Sequence, residues 1–398
     1  MHPILAFVLL LPLFLLLSIT KRALSKKPNF PPSPPRLPLI GNLHQLGSLP
    51  HLSLTSLSKK YGPLMLLRLG EIRTLIVSTP DMAREVMKTH DLSFANRPTS
   101  KVTEILLYNN MDVGFSPYGD YFPRLAWLGV FFGLSSRARR NFERLDDLLD
   151  EVIVEHEDRK KVDEEKDFVD VLLSLQKDSN LDFKLEKDHM KAILADMFGA
   201  GTETTSITLE WAMAEIVRNF KVMKKLQDEV RGIVGKNHVV REDDLNSMTY
   251  LKAVVKETLR LHPPAPLLIP RESIEDRYIK DYFIPKKTRV IVNGWAINRD
   301  PEFWEEPNEF RPERFIDSSV DFKGNDLQFI PFGAGRRICP GIQFAVLNIE
   351  LALANLIHRF EWELPHGLRR EELDMNEKPG LVTRRAEKLH LVAKPCLP

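Results

Sequence analysis

Phe332-Gly333-Ala334-Gly335-Arg336-Arg337-Ile338-Cys339-Pro340-Gly341 stands directly ahead of a long apolar run, Ile342 to His358. Gly333, Gly335 and Gly341 let a backbone turn tightly or approach a partner that a Cβ would hold away. Pro340 suits the first turn of the helix that the apolar run predicts. A large flat group could therefore lie against this loop. Cys339 falls at the N-terminus of that helix, where unpaired N–H groups and the helix dipole favour an anionic sulfur. Thiolate is the form that binds a metal. Taken alone, a free cysteine is more often a small buried hydrophobe. A reading as a hydrolase nucleophile lacks a nearby partnered histidine.

The whole pattern F-x-x-G-x-R-x-C-x-G is met at every position, and it resembles the haem-binding loop of the cytochromes P450. The resemblance implies a haem b whose iron is ligated by Cys339. It also implies that Phe332, Gly335, Arg337 and Gly341 shape the loop around that group.

Upstream, Lys191 to Asn219 reads as one long helix, yet Gly199, Gly201, Thr202, Thr204 and Thr205 lie in its middle. Each mid-helix glycine costs about 1 kcal/mol relative to alanine, and threonine is a poor helix former too. A helix that breaks local rules in this way is a candidate site. The small residues would let a ligand lie against it, and a threonine hydroxyl beside Glu203 could pass protons into a dry pocket. A kink or a close helix crossing accounts for the same residues equally well. Ala200-Gly201-Thr202-Glu203-Thr204 resembles the oxygen-activation motif of the same family, which implies that Thr204, with Glu203, delivers protons to the reacting oxygen.

Glu257-Thr258-Leu259-Arg260 places an acid and a base three apart on one helix face, ordinarily a solvated pair worth a few tenths of a kcal/mol. Pro312-Glu313-Arg314-Phe315 follows later. In order, the two resemble the family's E-x-x-R helix and P-E-R-F segment. The resemblance implies a buried network of Glu257, Arg260 and Arg314 that locks the scaffold around the haem loop, costly to break because one lost member strands a buried charge. Arg271 and Arg337 match positions that pair with haem propionates, and Asp196, Ala200, Ala265, Leu268, Leu381 and Val382 match positions that face substrate. Apolar residues at those places are equally well explained as core.

The chain has 398 residues, enough for one large catalytic domain or for two. With 56 Lys and Arg against 55 Asp and Glu, it carries a net charge of +1 and nothing argues for nucleic acid as a partner. Cys339 and Cys396 are its only cysteines, which excludes a disulfide framework and fits a reducing compartment.

Residues 1–20 are almost wholly apolar, and Lys21, Arg22, Lys26 and Lys27 follow at once. Such a run is just long enough to span a bilayer, and its basic C-terminal flank predicts that the rest stays cytosolic. The basic n-region and small-residue cleavage site of a signal peptide are not obvious. The prolines from Pro28 to Pro38 make 21–38 a stiff basic hinge that would hold the domain off membrane lipid. Residues 39–398 form the remaining domain.

Within it, Leu64 to Leu69 and Thr74 to Val77 predict short strands of a small sheet, and Pro80 to Thr89 a helix. Phe94 to Tyr108 shows no readable chemistry. Phe142, Leu145, Leu149 and Val152 mark an amphipathic helix. Glu155 to Asp167 reads as a solvated loop or helix end. Lys221 to Val234 and Asp244 to Leu261 predict helices, Arg289 to Val292 a strand. The fold is expected to be mainly α with a smaller β component.

The order of these features resembles plant microsomal cytochromes P450 of specialised (secondary) metabolism, nearly throughout the chain. That implies a haem-thiolate monooxygenase, an oxidoreductase anchored by one span in the endoplasmic reticulum membrane with its domain cytosolic. It would insert one atom of O2 into a small lipophilic substrate, using electrons from NADPH through a flavoprotein reductase. One region departs from the pattern. Pro117-Tyr118-Gly119-Asp120-Tyr121 normally leads into a helix bearing W-x-x-x-R, but here Phe122-Pro123-Arg124-Leu125-Ala126-Trp127-Leu128 follows, resembling a loop found much later in the family. The domain is thus expected to be shortened near 119–122 by several helices and one propionate-binding site. Arg124 and Trp127 have the wrong order and spacing to replace that site. A truncated, non-catalytic relative that binds haem poorly is the alternative expectation.

Overall fold

The computed structural model describes residues 28–99, 101–108, 111–112, 114–115, 134–158, 166–178, 180, 184–235, 239–365 and 367–396. The expected anchor at 1–20 and the junction at 119–122 lie outside these residues. In chain order the helices are α1 (Pro50–Tyr61), α2 (Pro80–Arg84), α3 (Lys101–Leu106), α4 (Leu134–Asp158), α5 (Phe168–Gln176), α6 (Lys187–Arg218), α7 (Phe220–Val234), α8 (Thr249–Leu261), α9 (Gly294–Ile297) and α10 (Ile342–Arg359). The strands are β1 (Leu64–Leu69), β2 (Ile72–Val77), β3 (Arg271–Glu272), β4 (Arg277–Ile279), β5 (Tyr282–Ile284), β6 (Arg289–Val292), β7 (Phe360–Glu363), β8 (Glu377–Lys378), β9 (Arg384–Arg385) and β10 (Val392–Pro395). The fold is mainly α with a smaller β component.

β1 and β2 form a hairpin over Gly70-Glu71, with Gly70 in the left-handed conformation at φ +60°. β2 then pairs in parallel with β6, Thr74 against Arg289 and Val77 against Val292, and β3 closes the order β1-β2-β6-β3. Ile76 faces Leu54 of α1, whereas Leu75 and Val77 pack with Val290 and Ala334 on the other side. Both faces are covered, which is why these strands read as continuous apolar runs rather than alternating ones. The expected strand from Thr74 begins two residues earlier, at Ile72. The proline-rich stretch lies against this sheet from Pro32 onward: the Leu66 amide donates to the Pro32 carbonyl at 2.9 Å, and Asn42 Nδ2 donates to the carbonyls of Pro34 and Pro35.

Helix α6 runs through two separate cores. Its N-terminal half buries Met190, Leu194 and Ala195 against Leu149 and Ile153 of α4 and Leu172 and Leu173 of α5. Its C-terminal half buries Ile216 and Val217 against Leu226 of α7, Val254 and Leu259 of α8 and Leu353 and Ile357 of α10. Between the two, Phe198 is 68% exposed and Gly199, Ala200, Thr202 and Glu203 are open as well. Of the residues that break helix rules, Gly199 and Thr202 are left uncovered by the packing and Gly201, Thr204 and Thr205 are half-buried, and burial on either side offsets their cost. A helix crossing is present too, since a Cβ at Gly201 would lie 3.6 Å from the Phe344 ring of α10.

Two expected helices are divided. Asp244 to Leu261 breaks at Met248, with a 3₁₀ turn over Glu242–Ser247 ahead of α8. Pro80 to Thr89 passes from α2 into a π-turn, Glu85–Thr89. Such turns occur often at functional sites, and this one carries the carbonyl against which the cysteine loop packs.

Candidate active site: a cysteine loop beside buried arginines

The loop closes on itself through the Cys339 amide, which donates to the Phe332 carbonyl at 3.0 Å, and the Ile338 amide, which donates to Gly335 at 3.0 Å. Gly333 and Gly335 sit at φ +73° and +69°. At Gly335 the requirement is steric as well, for a Cβ there would come within 1.8 Å of the Met87 carbonyl oxygen in the π-turn. Gly341 differs from the expectation: its φ of −87° suits any residue, and a Cβ there would stand 3.9 Å from Cys339 Sγ. What glycine provides at 341 is space beside the sulfur. Pro340 also lies just outside the helix, which starts at Ile342 behind the Gly341 cap.

The sulfur does not behave as the helix end alone suggests. Burial pushes the Cys339 thiol up, and the Gly341 amide that hydrogen-bonds it only partly opposes this. Desolvation of a thiolate outweighs one N–H donor, so the anionic form needs a cation to bind it.

A hydrogen-bonded chain fixes the loop from behind. Arg260 is bidentate on Glu257, Nε to Oε2 at 2.7 Å and Nη2 to Oε1 at 2.8 Å, with both side chains fully buried. Arg314 Nε reaches the same Oε1 at 3.0 Å, and the Arg311 amide donates there at 2.8 Å. Arg260 Nη1 donates to the Asn298 carbonyl at 3.0 Å, and Asn298 Oδ1 accepts from the Ile330 amide at 3.2 Å, three residues before Gly333. Trp304, Phe315, Phe329 and Phe322 carry ring contacts from the network to Phe332. The spacing Glu257/Arg260 that would ordinarily mark a surface pair is thus the deepest charge in the molecule's second half.

On the loop's other side, three arginines gather. Arg271 is 2% exposed; its Nη2 donates to the Ala334 carbonyl at 2.7 Å while Nη1 is buried with no partner. Arg337 Nε donates to the Ala95 carbonyl at 2.8 Å. Arg97, invisible in the sequence, joins them: it donates to the carbonyls of Gly114, Ile269 and Pro270. Burial, and after it the charges of Arg271 and Arg337, pull Arg97 down to about 9. Burial and then Arg337 pull Arg271 down to about 10. Among the described residues neither Arg97 nor Arg271 forms an ion pair. Guanidiniums held at this cost suit a bidentate carboxylate partner. Haem b offers two such carboxylates, so these residues fit it, and the open glycines of α6 with the half-exposed Phe344 offer its flat face an apolar bed.

The remaining candidates fall as follows. Thr204 donates to the Ala200 carbonyl at 2.7 Å, bonding within its own helix. Glu203, next to it, meets Arg384. Asp196 accepts from the Gly114 amide at 3.3 Å. Leu268, at φ +51°, packs with the core under the loop, a Cβ on Gly333 being 3.9 Å from its methyl. The Ala265 carbonyl accepts from the Leu268 amide, Leu381 is 75% exposed, and Val382 is half-buried. Asp112 was missed by the sequence reading: fully buried, it accepts from the Phe115 amide at 2.6 Å and leaves Oδ1 unpartnered. Burial, and then the charge of Asp196, raise its carboxyl to about 6. No spacing marks either Arg97 or Asp112, since both owe their place to contacts made far along the chain.

A sequence profile of the cytochrome P450 family matches residues 31–119 and 107–392. Cytochrome P450 71A1 of Persea americana is 43% identical, over 89% of this chain and 91% of its own. Cytochrome P450 71AP13 of Prunus mume is 42% identical over 97% of this chain and 95% of its own, in an alignment of 486 positions. Since this chain has 398 residues, that relative carries residues with no counterpart here. Costunolide synthase of Cichorium intybus is 39% identical over 92% of each chain. Among solved structures, a zebra fish cytochrome P450 with progesterone superposes at a TM-score of 0.76 with 26% identity, covering 87% of this chain and 99% of its own.

Proposed function

The chain belongs to the cytochrome P450 family and is an oxidoreductase of the monooxygenase kind that uses haem b on a cysteine thiolate; from this we propose that it oxygenates a small lipophilic substrate of plant specialised metabolism, with Cys339 as the iron ligand and electrons reaching it from NADPH through a flavoprotein reductase. The observation that carries the reading is the partnerless Arg271 nitrogen, bonded through its neighbour to the cysteine loop and flanked by Arg97 and Arg337. Together they would hold two propionates, and the iron's charge would offset the burial that pushes the Cys339 thiol up. When bound, the haem supplies O2 reduction and O–O cleavage, which a thiolate ligand favours. Thr204 and Glu203 would hold and pass the protons that this reduction consumes. The lipophilic character of the substrate draws support from the progesterone of the zebra fish neighbour, and its place in plant metabolism from the plant relatives.

Attachment to the endoplasmic reticulum membrane by residues 1–20 rests on their composition. Among the described residues no helix is long and apolar enough to cross a membrane. Reconstituted with a plant reductase and NADPH and offered compact lipophilic compounds, the chain is expected to return a product heavier by one oxygen atom drawn from O2. Label arriving from water instead, or no product from a chain with an intact haem spectrum, contradicts the proposal. A second reading, a non-catalytic relative, draws on the residues that the relative aligned over 486 positions carries and this chain does not.

A further inference from the structure

The carboxylate of Glu203 on α6 meets the guanidinium of Arg384 on β9, and both side chains are about half exposed. An ion pair in that setting contributes at most about 1 kcal/mol to stability. The segment that carries the arginine is nevertheless firmly held. The Thr383 amide donates to the Pro264 carbonyl at 2.8 Å, and Trp211 Nε1 donates to the Thr383 carbonyl at 3.4 Å. Arg385, 4% exposed, lies over the Trp211 ring at 5.4 Å, and the Leu389 amide donates to Glu210 Oε1 at 3.0 Å. Trp211 is itself stacked on His262 at 3.9 Å. Residues 383 to 389 are therefore fastened to the buried end of α6 and to the turn after α8. Strand alternation turns Arg385 inward and leaves Arg384 on the open side, two residues after Val382.

We propose that Arg384 is a positioning residue for Glu203: it holds the acid's carboxylate on the open side of α6 and ties proton delivery to the C-terminal loop that contains Leu381 and Val382. In this arrangement the relay is not joined, because Thr204 gives its proton to the Ala200 carbonyl and Glu203 is engaged by Arg384. A ligand that presses on Leu381 and Val382 displaces the half-exposed Arg384 side chain, the backbone behind it staying fastened, and frees the acid. The inference rests on the monooxygenase reading. There, RH, O2, NADPH and H⁺ give ROH, H2O and NADP⁺. When protons arrive out of turn, O2, NADPH and H⁺ give H2O2 and NADP⁺ with the same two electrons.

The test uses the haem-loaded full chain with reductase and NADPH and no added substrate, measuring the ratio of H2O2 formed per minute to haem from about pH 6 to about pH 9. Arg384→Gln is expected to raise that ratio by roughly threefold and flatten its pH profile, a fraction of what a proton-delivering group supplies. Arg384→Lys, which keeps the charge, is expected to restore both. The carbon monoxide difference spectrum and the unfolding midpoint should stay as in the unaltered chain, because an exposed pair adds little stability. A ratio and profile unchanged in Arg384→Gln overturn the inference, as does failure of Arg384→Lys to restore them. A lowered midpoint with an unchanged ratio marks a structural role and overturns it too. An unaltered chain that lacks the thiolate-type carbon monoxide band fails the monooxygenase reading, and the inference falls with it.

Discussion

Arg271 enters the site with one nitrogen bonded to the cysteine loop and the other stranded. A buried cation without a counter-charge is costly, so binding of a carboxylate there relieves a cost the fold has already met. Replacing Arg271 or Arg97 with Met is expected to lower haem affinity by roughly ten- to a hundredfold, the worth of one charge-assisted hydrogen bond. The haem-to-protein ratio after gel filtration checks this; full retention in the Arg97 and Arg271 double variant would contradict it. Asp112 makes a prediction of opposite sign. Its carboxyl stands at about 6 in the folded chain, above the usual 3.8, so the folded state binds the proton more tightly than the unfolded one. Its contribution to stability is therefore fullest below about pH 4 and is lost as pH rises through about 6. Asp112→Asn should raise the thermal midpoint at about pH 7.5 and change it little at about pH 4; a midpoint lowered at the higher pH would count against the assignment. Cys339 and Arg337 could be singled out in the sequence because they sit in a dense motif, and Arg271 only because it matches a family position. Arg97 and Asp112 could not, for an arginine before a proline and an aspartate in a loop acquire their setting from residues far along the chain, Ile269 and Pro270 for the one and the charge of Asp196 for the other.

At the scale of elements, the stretch Glu257 to Arg260 shows how a local rule is overridden. The i,i+3 spacing is that of a surface pair, yet both side chains are fully buried and Arg260 donates to the backbone carbonyls of Asn298, Pro307 and Glu309. Removing Glu257 strands two guanidiniums, and Glu257→Ala is expected to cost about 3–5 kcal/mol. Denaturant unfolding reads that loss; a change below about 1 kcal/mol would show that the network is not holding the loop. Helix α6 was legible in extent because apolar periodicity governs its two buried halves. The division of its core contacts was not, since it depends on α4 and α5 lying at one end and α7, α8 and α10 at the other. The π-turn at Glu85–Thr89 likewise left no mark in composition, though it sets the Met87 carbonyl against Gly335 of the cysteine loop.

Across the whole molecule, the thiolate side of the site is built to completion while the middle of α6 stands open, with Phe198 and Leu381 exposed to 68% and 75%. Large exposed apolar side chains in one region mark a surface that something covers, and the longer relatives carry residues that this chain does not. The central claim is that Cys339 ligates haem iron in this shortened chain. The reduced carbon monoxide difference spectrum of the expressed protein, taken beside Cys339→Ser, tests it most directly. A thiolate-type band in the unaltered chain that disappears in Cys339→Ser is the expected result; absence of the band in the unaltered chain, or its persistence in the variant, would contradict the assignment.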